Sequence, residues 1–190
     1  AVRPILEKHF PELSYSAALI STGSEVLGFD TPQSMDHDWG PRLLLFLAEA
    51  DIDAYRPRIE QVLSRELPSS IHGIPLDLAI VRHSDHAPDA AVLGNLASHS
   101  VRLHTVRIFV RNILNVEFDQ QWRAVDWLTF SEQHLRSLTH GQVFHDGLGQ
   151  LTSLREQLCY YPHDVWRYLF AAQWQRIDQE EPFLGCCGQV

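Results

Sequence analysis

Residues 15–47 decide how the chain folds: Tyr15-Ser-Ala-Ala-Leu-Ile20-Ser-Thr-Gly-Ser24-Glu-Val-Leu-Gly28-Phe-Asp-Thr-Pro-Gln-Ser34-Met-Asp36-His-Asp38-Trp-Gly-Pro-Arg42-Leu-Leu-Leu-Phe-Leu47. Tyr15 to Ile20 is a short apolar run closed by Ser21-Thr22-Gly23-Ser24, the pattern of a buried strand ending in a sharp turn. Glu25, Val26 and Leu27 can open a brief helix, which Gly28, Asp30, Thr31 and Pro32 stop. The chain then turns back into Leu43-Leu44-Leu45-Phe46-Leu47, whose lack of alternation predicts a strand covered on both faces. In extended chain, residues two apart point the same way, so Asp36 and Asp38 are expected side by side. Two close carboxylates repel unless a cation lies between them, and Mg²⁺ or Mn²⁺ takes such oxygen ligands while keeping sites for phosphate. Gly23 and Ser24 would complement the pair, with a backbone that phosphate can approach and a hydroxyl beside it.

The order and spacing of these pieces, with 11 residues between Ser24 and Asp36, resemble the signature of the polymerase-beta-like nucleotidyltransferase superfamily. Gly23-Ser24-Glu25-Val26-Leu27-Gly28 followed by Ser34-Met35-Asp36-His37-Asp38 is similar to the longer form found in small-molecule and minimal nucleotidyltransferases. The resemblance implies an α+β fold, a mixed sheet with flanking helices, over residues 1–118. It implies that Gly23 and Ser24 bind a nucleoside triphosphate, and that Asp36 and Asp38 are both metal ligands and catalytic residues. Transferring members usually carry a third carboxylate on a later strand, as ligand or general base. The segment Val101 to Val106 reads as that strand but carries Arg102 and His104 on its expected outward face; Asp77 is the other candidate. The alternative is therefore a catalytically silent module of the same fold that binds a nucleotide or a protein partner.

Farther along, Asp51 is placed to cap a helix from about Ile52 to Leu67, with Tyr55, Ile59, Val62 and Leu63 inward and Pro68 closing it. Ile74 to Val81 is strand-like with an early proline. Arg102, Arg107 and Arg111 can be read as a basic patch for a triphosphate, or as a solvated face paired with Glu117 or Asp119. His83, Asp85, His86 and Asp89 form a polar loop that invites, weakly, a metal reading.

Residues 119–190 read as helical. Ser131 caps a helix to about Thr139 with Gly141 as its stop, and Leu148, Leu151, Leu154 and Leu158 recur at helical spacing. Pro162 then starts a helix whose apolar residues, Val165, Trp166, Leu169, Phe170, Trp174 and Ile177, are expected to pack into a core. Phe144-His145-Asp146-Gly147-Leu148-Gly149, Arg155, Tyr160-Tyr161-Pro162-His163-Asp164-Val165-Trp166 and Ala171-Ala172-Gln173-Trp174 are similar to an uncharacterised bacterial family, domain of unknown function 4037. Its members join this helical segment to a nucleotidyltransferase-like domain, and the helical part is expected to continue past Val190, leaving an apolar helix face without its partner.

Composition narrows the classes. With 45% hydrophobic residues among 190 and a formal net charge of -9, the chain is built to fold and lacks the cationic footprint of a nucleic-acid binder. Three cysteines, two of them adjacent, do not make a disulfide framework, and no signal segment opens the chain, so reduced thiols and a cytoplasmic location are expected.

Overall fold

The computed structural model describes residues 1–29, 41–76, 100–117 and 121–180. Its centre is a four-stranded mixed sheet in the order β5-β2-β1-β6. Strands β1 (Tyr15–Leu19) and β2 (Leu43–Leu47) are antiparallel, with Tyr15 opposite Leu47 and Ala18 opposite Leu44. Strand β5 (Val101–His104) runs parallel to β2, a pairing that requires a long crossover, and helix α3 (Ile52–Glu66) lies within it.

Both faces of the sheet are covered, for the reason legible in the unalternating run of β2. Leu45 and Leu47 point into a core with Ile5 and Leu6 of α1 (Val2–His9) and with Ile59 and Leu63 of α3. Phe46, from the opposite side of the same strand, packs with Val106, Phe109 and Val110 of α4 (Val106–Leu114). Leu45, Phe46 and Leu47 are all 0% exposed, each burial stabilising by roughly 1.5–3 kcal/mol. A strand polar on one face could not hold this position.

Strand β1 ends where expected, and a one-turn helix, α2 (Ser24–Leu27), follows. Asp51 stands at the N-cap of α3 but makes no side-chain cap hydrogen bond. Of the strand expected at Ile74 to Val81, the described part is β4 (Ile74–Pro75), in a tight hairpin with β3 (Ser70–Ile71). His72 and Gly73 both have positive φ, which two-residue hairpin loops need.

Strand β5 is shorter than expected. Thr105 is not its continuation but the N-cap of α4, its hydroxyl accepting from the Ile108 amide at 3.3 Å. His104 does not face outward. It is buried, its ring 5.5 Å from that of Phe109, and burial, assisted by the charges of Arg56 and Arg102, lowers its pKa to about 4.

The C-terminal part is not only helical. After α5 (Ala124–Thr129) and α6 (Glu132–Thr139) it supplies β6 (Gln142–Asp146), which lies antiparallel on the free edge of β1. A single core joins Ala18 and Ile20 of the first part to Trp127, Leu138, Leu151 and Leu154 of the second. Five residues on an edge, with Phe144 exposed and a bulge opposite Ala17/Ala18, leave little hydrophobic alternation for a sequence reading to find. Helix α7 (Gln150–Leu158) buries Leu151, Leu154 and Leu158 as their spacing predicted.

Helix α8 (His163–Glu180) departs from expectation. Val165 is buried and Leu169 partly so, but Trp166, Phe170, Trp174 and Ile177 are exposed rather than packed in a core. Among the described residues, no helix is long and apolar enough to cross a membrane.

Candidate functional site

The antiparallel pairing of β1 with β2 brings the C-terminal end of β1 and the N-terminal end of β2 to the same end of the sheet. Residues 21–27 cross that end. Ser21 (φ 80) and Gly23 (φ 115) both take positive φ, a backbone that costs a residue with a side chain on the order of 1 kcal/mol and that surrounding contacts must hold. Four contacts do so here. The Ser21 amide donates to the Ser137 carbonyl of α6 at 2.8 Å, and the Gly141 amide to the Val26 carbonyl at 3.0 Å. Arg42, immediately before β2, donates to the Thr22 carbonyl at 2.9 Å and pairs with Glu25 of α2.

The φ of +115 is what favours glycine at position 23. A Cβ on Gly23 would lie 2.0 Å from Nη2 of Arg42 and 2.3 Å from Oε2 of Glu25. Both atoms end flexible side chains that can turn aside, so the backbone conformation and not this contact fixes the glycine. Arg42 is nearly enclosed, and its buried Nε has no hydrogen-bond partner among the described residues. That leaves a donor directed by a charged group beside the turn.

Gly23 and Ser24 thus stand at the sheet's end as a turn entering a helix. Asp36 and Asp38 lie outside the described residues, as do Asp77, His83, Asp85, His86, Asp89 and Asp119. Among the described residues, no group of three or more His, Cys, Asp and Glu is placed to hold a metal. The arginines of α4 follow the paired reading: Arg107 meets Glu49 at 2.6 Å and Glu117 at 3.5 Å, and Arg111 pairs with Glu117. These pairs are partly exposed and contribute little to stability.

A second polar cluster lies where β6 passes into α7. Asp146 accepts from the Ser16 hydroxyl at 2.5 Å and from the Thr152 amide at 2.7 Å. The Ser16 hydroxyl in turn accepts from the Leu148 amide at 3.3 Å, and the Gly147 amide donates to the Tyr15 carbonyl at 2.9 Å. Burial pushes the Asp146 pKa up, but hydrogen bonds from Ser16, Thr152 and Leu151 outweigh it and hold the carboxyl below its ordinary range. A Cβ on Gly147 would lie 2.7 Å from the Tyr15 carbonyl oxygen. The run His145-Asp146-Gly147-Leu148-Gly149 is therefore a joint that ties an edge strand to the centre of the sheet while capping a helix. Arg155 does similar work, donating to the carbonyls of Thr139 at 2.6 Å and His140 at 3.2 Å at the end of α6.

Asp146→Ala is expected to destabilise the fold by about 2 kcal/mol, since it leaves Ser16 and the first amides of α7 without their acceptor. Because the folded-state pKa is lowered, this contribution is present above the ordinary carboxyl range and lost as pH falls through it. Urea unfolding of both proteins at neutral pH and near pH 3 checks the size and the sign.

Sequence reasoning missed Ser16 and Arg42. Ser16 left a signal, a hydroxyl in an otherwise apolar strand, which buried chain tolerates only with a partner. Arg42 left none, because its role depends on two segments meeting.

The described architecture is that of an α+β protein: a mixed sheet between helical layers, a Gly-Ser turn at one end of its central strands. Residues 127–190 match the model of a protein family described as a domain of unknown function, DUF4037. The match takes in β6, α7 and α8 and the joint at Asp146. Comparison with curated proteins and with solved structures finds no match to the chain.

Proposed function

We propose that the chain is a metal-dependent nucleotidyltransferase, moving a nucleoside monophosphate from a nucleoside triphosphate to a hydroxyl of a small molecule or protein. The observation that carries the reading is the Gly23-Ser24 turn at the end of β1, bound by Arg42 at the start of the neighbouring antiparallel β2. Arg42 follows the Asp36-His37-Asp38 segment by four positions in the sequence, so the turn and the strand entered from that segment are tied together. On this reading Asp36 and Asp38 would hold Mg²⁺ or Mn²⁺, whose charge would offset that of the triphosphate while the acceptor hydroxyl oxygen bonds to the α-phosphorus and pyrophosphate leaves. The turn would seat the phosphates, with Arg42, itself paired with Glu25, beside them.

The order of helix and strand, α1-β1-α2-β2-α3 with β5 parallel to β2, supports the fold half of the proposal. The chemistry is tested by thermal melting with Mn²⁺ and with each common nucleoside triphosphate. At a free ion concentration tenfold above Kd, the gain is about 1.4 kcal/mol, a rise of a few degrees in a domain of this size. Asp38→Asn should abolish most of that rise. A wild type that does not respond, or a variant that responds equally, rejects the two aspartates as a metal site.

One observation favours the silent alternative: β5 carries Arg102 and a buried neutral His104 where a third carboxylate would be wanted. Pyrophosphate release separates the two readings. Release that disappears in Asp36→Ala supports the transferase, and binding of nucleotide without release over a broad acceptor panel supports the silent module.

A further inference from the structure

Helix α8 presents two ridges to two different environments. Val165 is 2% exposed and Leu169 packs beside it on the core shared with α7, which fixes how the helix lies. One residue farther round, Trp166, Phe170, Trp174 and Ile177 are 51%, 53%, 58% and 56% exposed. They are not scattered. The rings of Trp166 and Phe170 stack at 5.4 Å, and Phe170 meets Trp174 edge-on at 6.0 Å. The result is a continuous aromatic stripe roughly 16 Å long, from the helical rise over eleven residues. Large aromatic side chains aligned in this way are what interface centres are made of, and a folded chain rarely leaves so many together in water.

The charges beside the stripe say what fits it. Arg167 near the beginning of α8 and Asp178 near its end are separated by about 20° around the helix, so both lie on the same flank of the stripe. Both are exposed, and neither has an ion pair among the described residues. Laid antiparallel against an identical helix about the level of Ala172, Phe170 falls opposite the partner's Trp174, and Trp166 beside the partner's Ile177. In that register the two-fold axis carries each flank onto itself, so Arg167 meets the partner's Asp178 twice. The antiparallel macrodipoles add to the attraction. A face complementary to itself under a two-fold axis closes after two copies.

We propose that the occupant of this stripe is a second copy of the chain, forming a closed two-fold dimer through antiparallel α8 helices. The inference is independent of any nucleotide chemistry at the Gly23-Ser24 turn.

Light scattering coupled to size-exclusion chromatography of the full chain, from micromolar to hundreds of micromolar, tests it. The wild type is expected to pass from one to two copies and stop there. Trp174→Glu, at an exposed position that leaves the core intact, should raise the dimer dissociation constant roughly tenfold or more. Arg167→Glu should weaken the dimer, and the double variant Arg167→Glu/Asp178→Arg should restore it, which non-specific stickiness would not do. Monomer at every concentration, growth beyond two copies, or a dimer indifferent to Trp174→Glu overturns the proposal. So does a monomer whose tryptophans resist quenching by iodide, since residues 181–190 would then cover the stripe. Failure of the double variant to recover overturns the antiparallel register.

Discussion

Gly141→Ala is expected to lower stability by about 3 kcal/mol, which for a domain of this size is a drop in Tm of roughly 6–12 °C. Two costs combine. The residue takes φ +74, in the left-handed region, and an added Cβ would lie 2.1 Å from the Leu19 carbonyl oxygen, on the last residue of β1. Relief cannot come from a side chain turning aside, because the obstacle is backbone in a central strand. Gly149 supplies the control. It has a similar φ of +69, yet nothing lies within 4 Å of where its Cβ would stand, so Gly149→Ala should cost only on the order of 1 kcal/mol. Chemical denaturation of the two variants side by side measures the difference. Equal losses would show that conformation alone, and not the contact with β1, fixes the glycine. The Gly141 amide also holds the Val26 carbonyl, so Gly141→Ala should loosen the Gly23-Ser24 turn as well.

Acid sensitivity below neutral pH is the second large effect expected. His104 is buried between Phe46 and Phe109, and its folded-state pKa is about 4. In the unfolded chain a histidine titrates near 6.5. Between these values the unfolded state binds a proton that the folded state refuses, so stability rises with pH through that window and falls as pH drops from 6.5 towards 4. Below about 4 the two states titrate together and the dependence ends. The separation corresponds to about 3 kcal/mol, an upper figure because the buried site relaxes and admits water. His104→Leu removes the titration, so the variant should lose less stability than the wild type between pH 7 and pH 4. Urea midpoints at several pH values give the two curves. Parallel curves would mean that His104 takes up its proton in the fold as readily as in the unfolded chain and that its burial does not set its charge.

The first effect arises from the way the second part of the chain is built into the first, the second from the way α4 covers β5. Gly141 precedes β6 and Asp146 ends it, and both act on β1, more than a hundred residues earlier. Within the stretch that matches the family model, three residues have structural roles: Asp146 accepts from an amide in the first turn of α7, Gly147 lets β6 approach Tyr15, and Arg155 closes the end of α6. None of these roles requires a ligand.

The sequence by itself determined the elements whose signals are local. The apolar run of Leu43–Leu47 demanded cover on both faces, and α1 and α3 on one side and α4 on the other provide it. The turn after β1, the short α2 and the leucine ridge of α7 follow from glycine conformation and from helical periodicity, properties carried by neighbouring residues. Asp36 and Asp38 are likewise a reading of spacing, and they lie outside the described residues. Only the tertiary structure decided the rest. Strand β6 exists because an edge of β1 was open to pair with it, Arg42 serves the turn because two segments distant in sequence meet there, and His104 is buried because α4 folds over its strand. The same cause left the stripe of α8 uncovered: helical periodicity shows which residues share a face, but whether that face meets a core, a second chain or water depends on surfaces that periodicity does not describe.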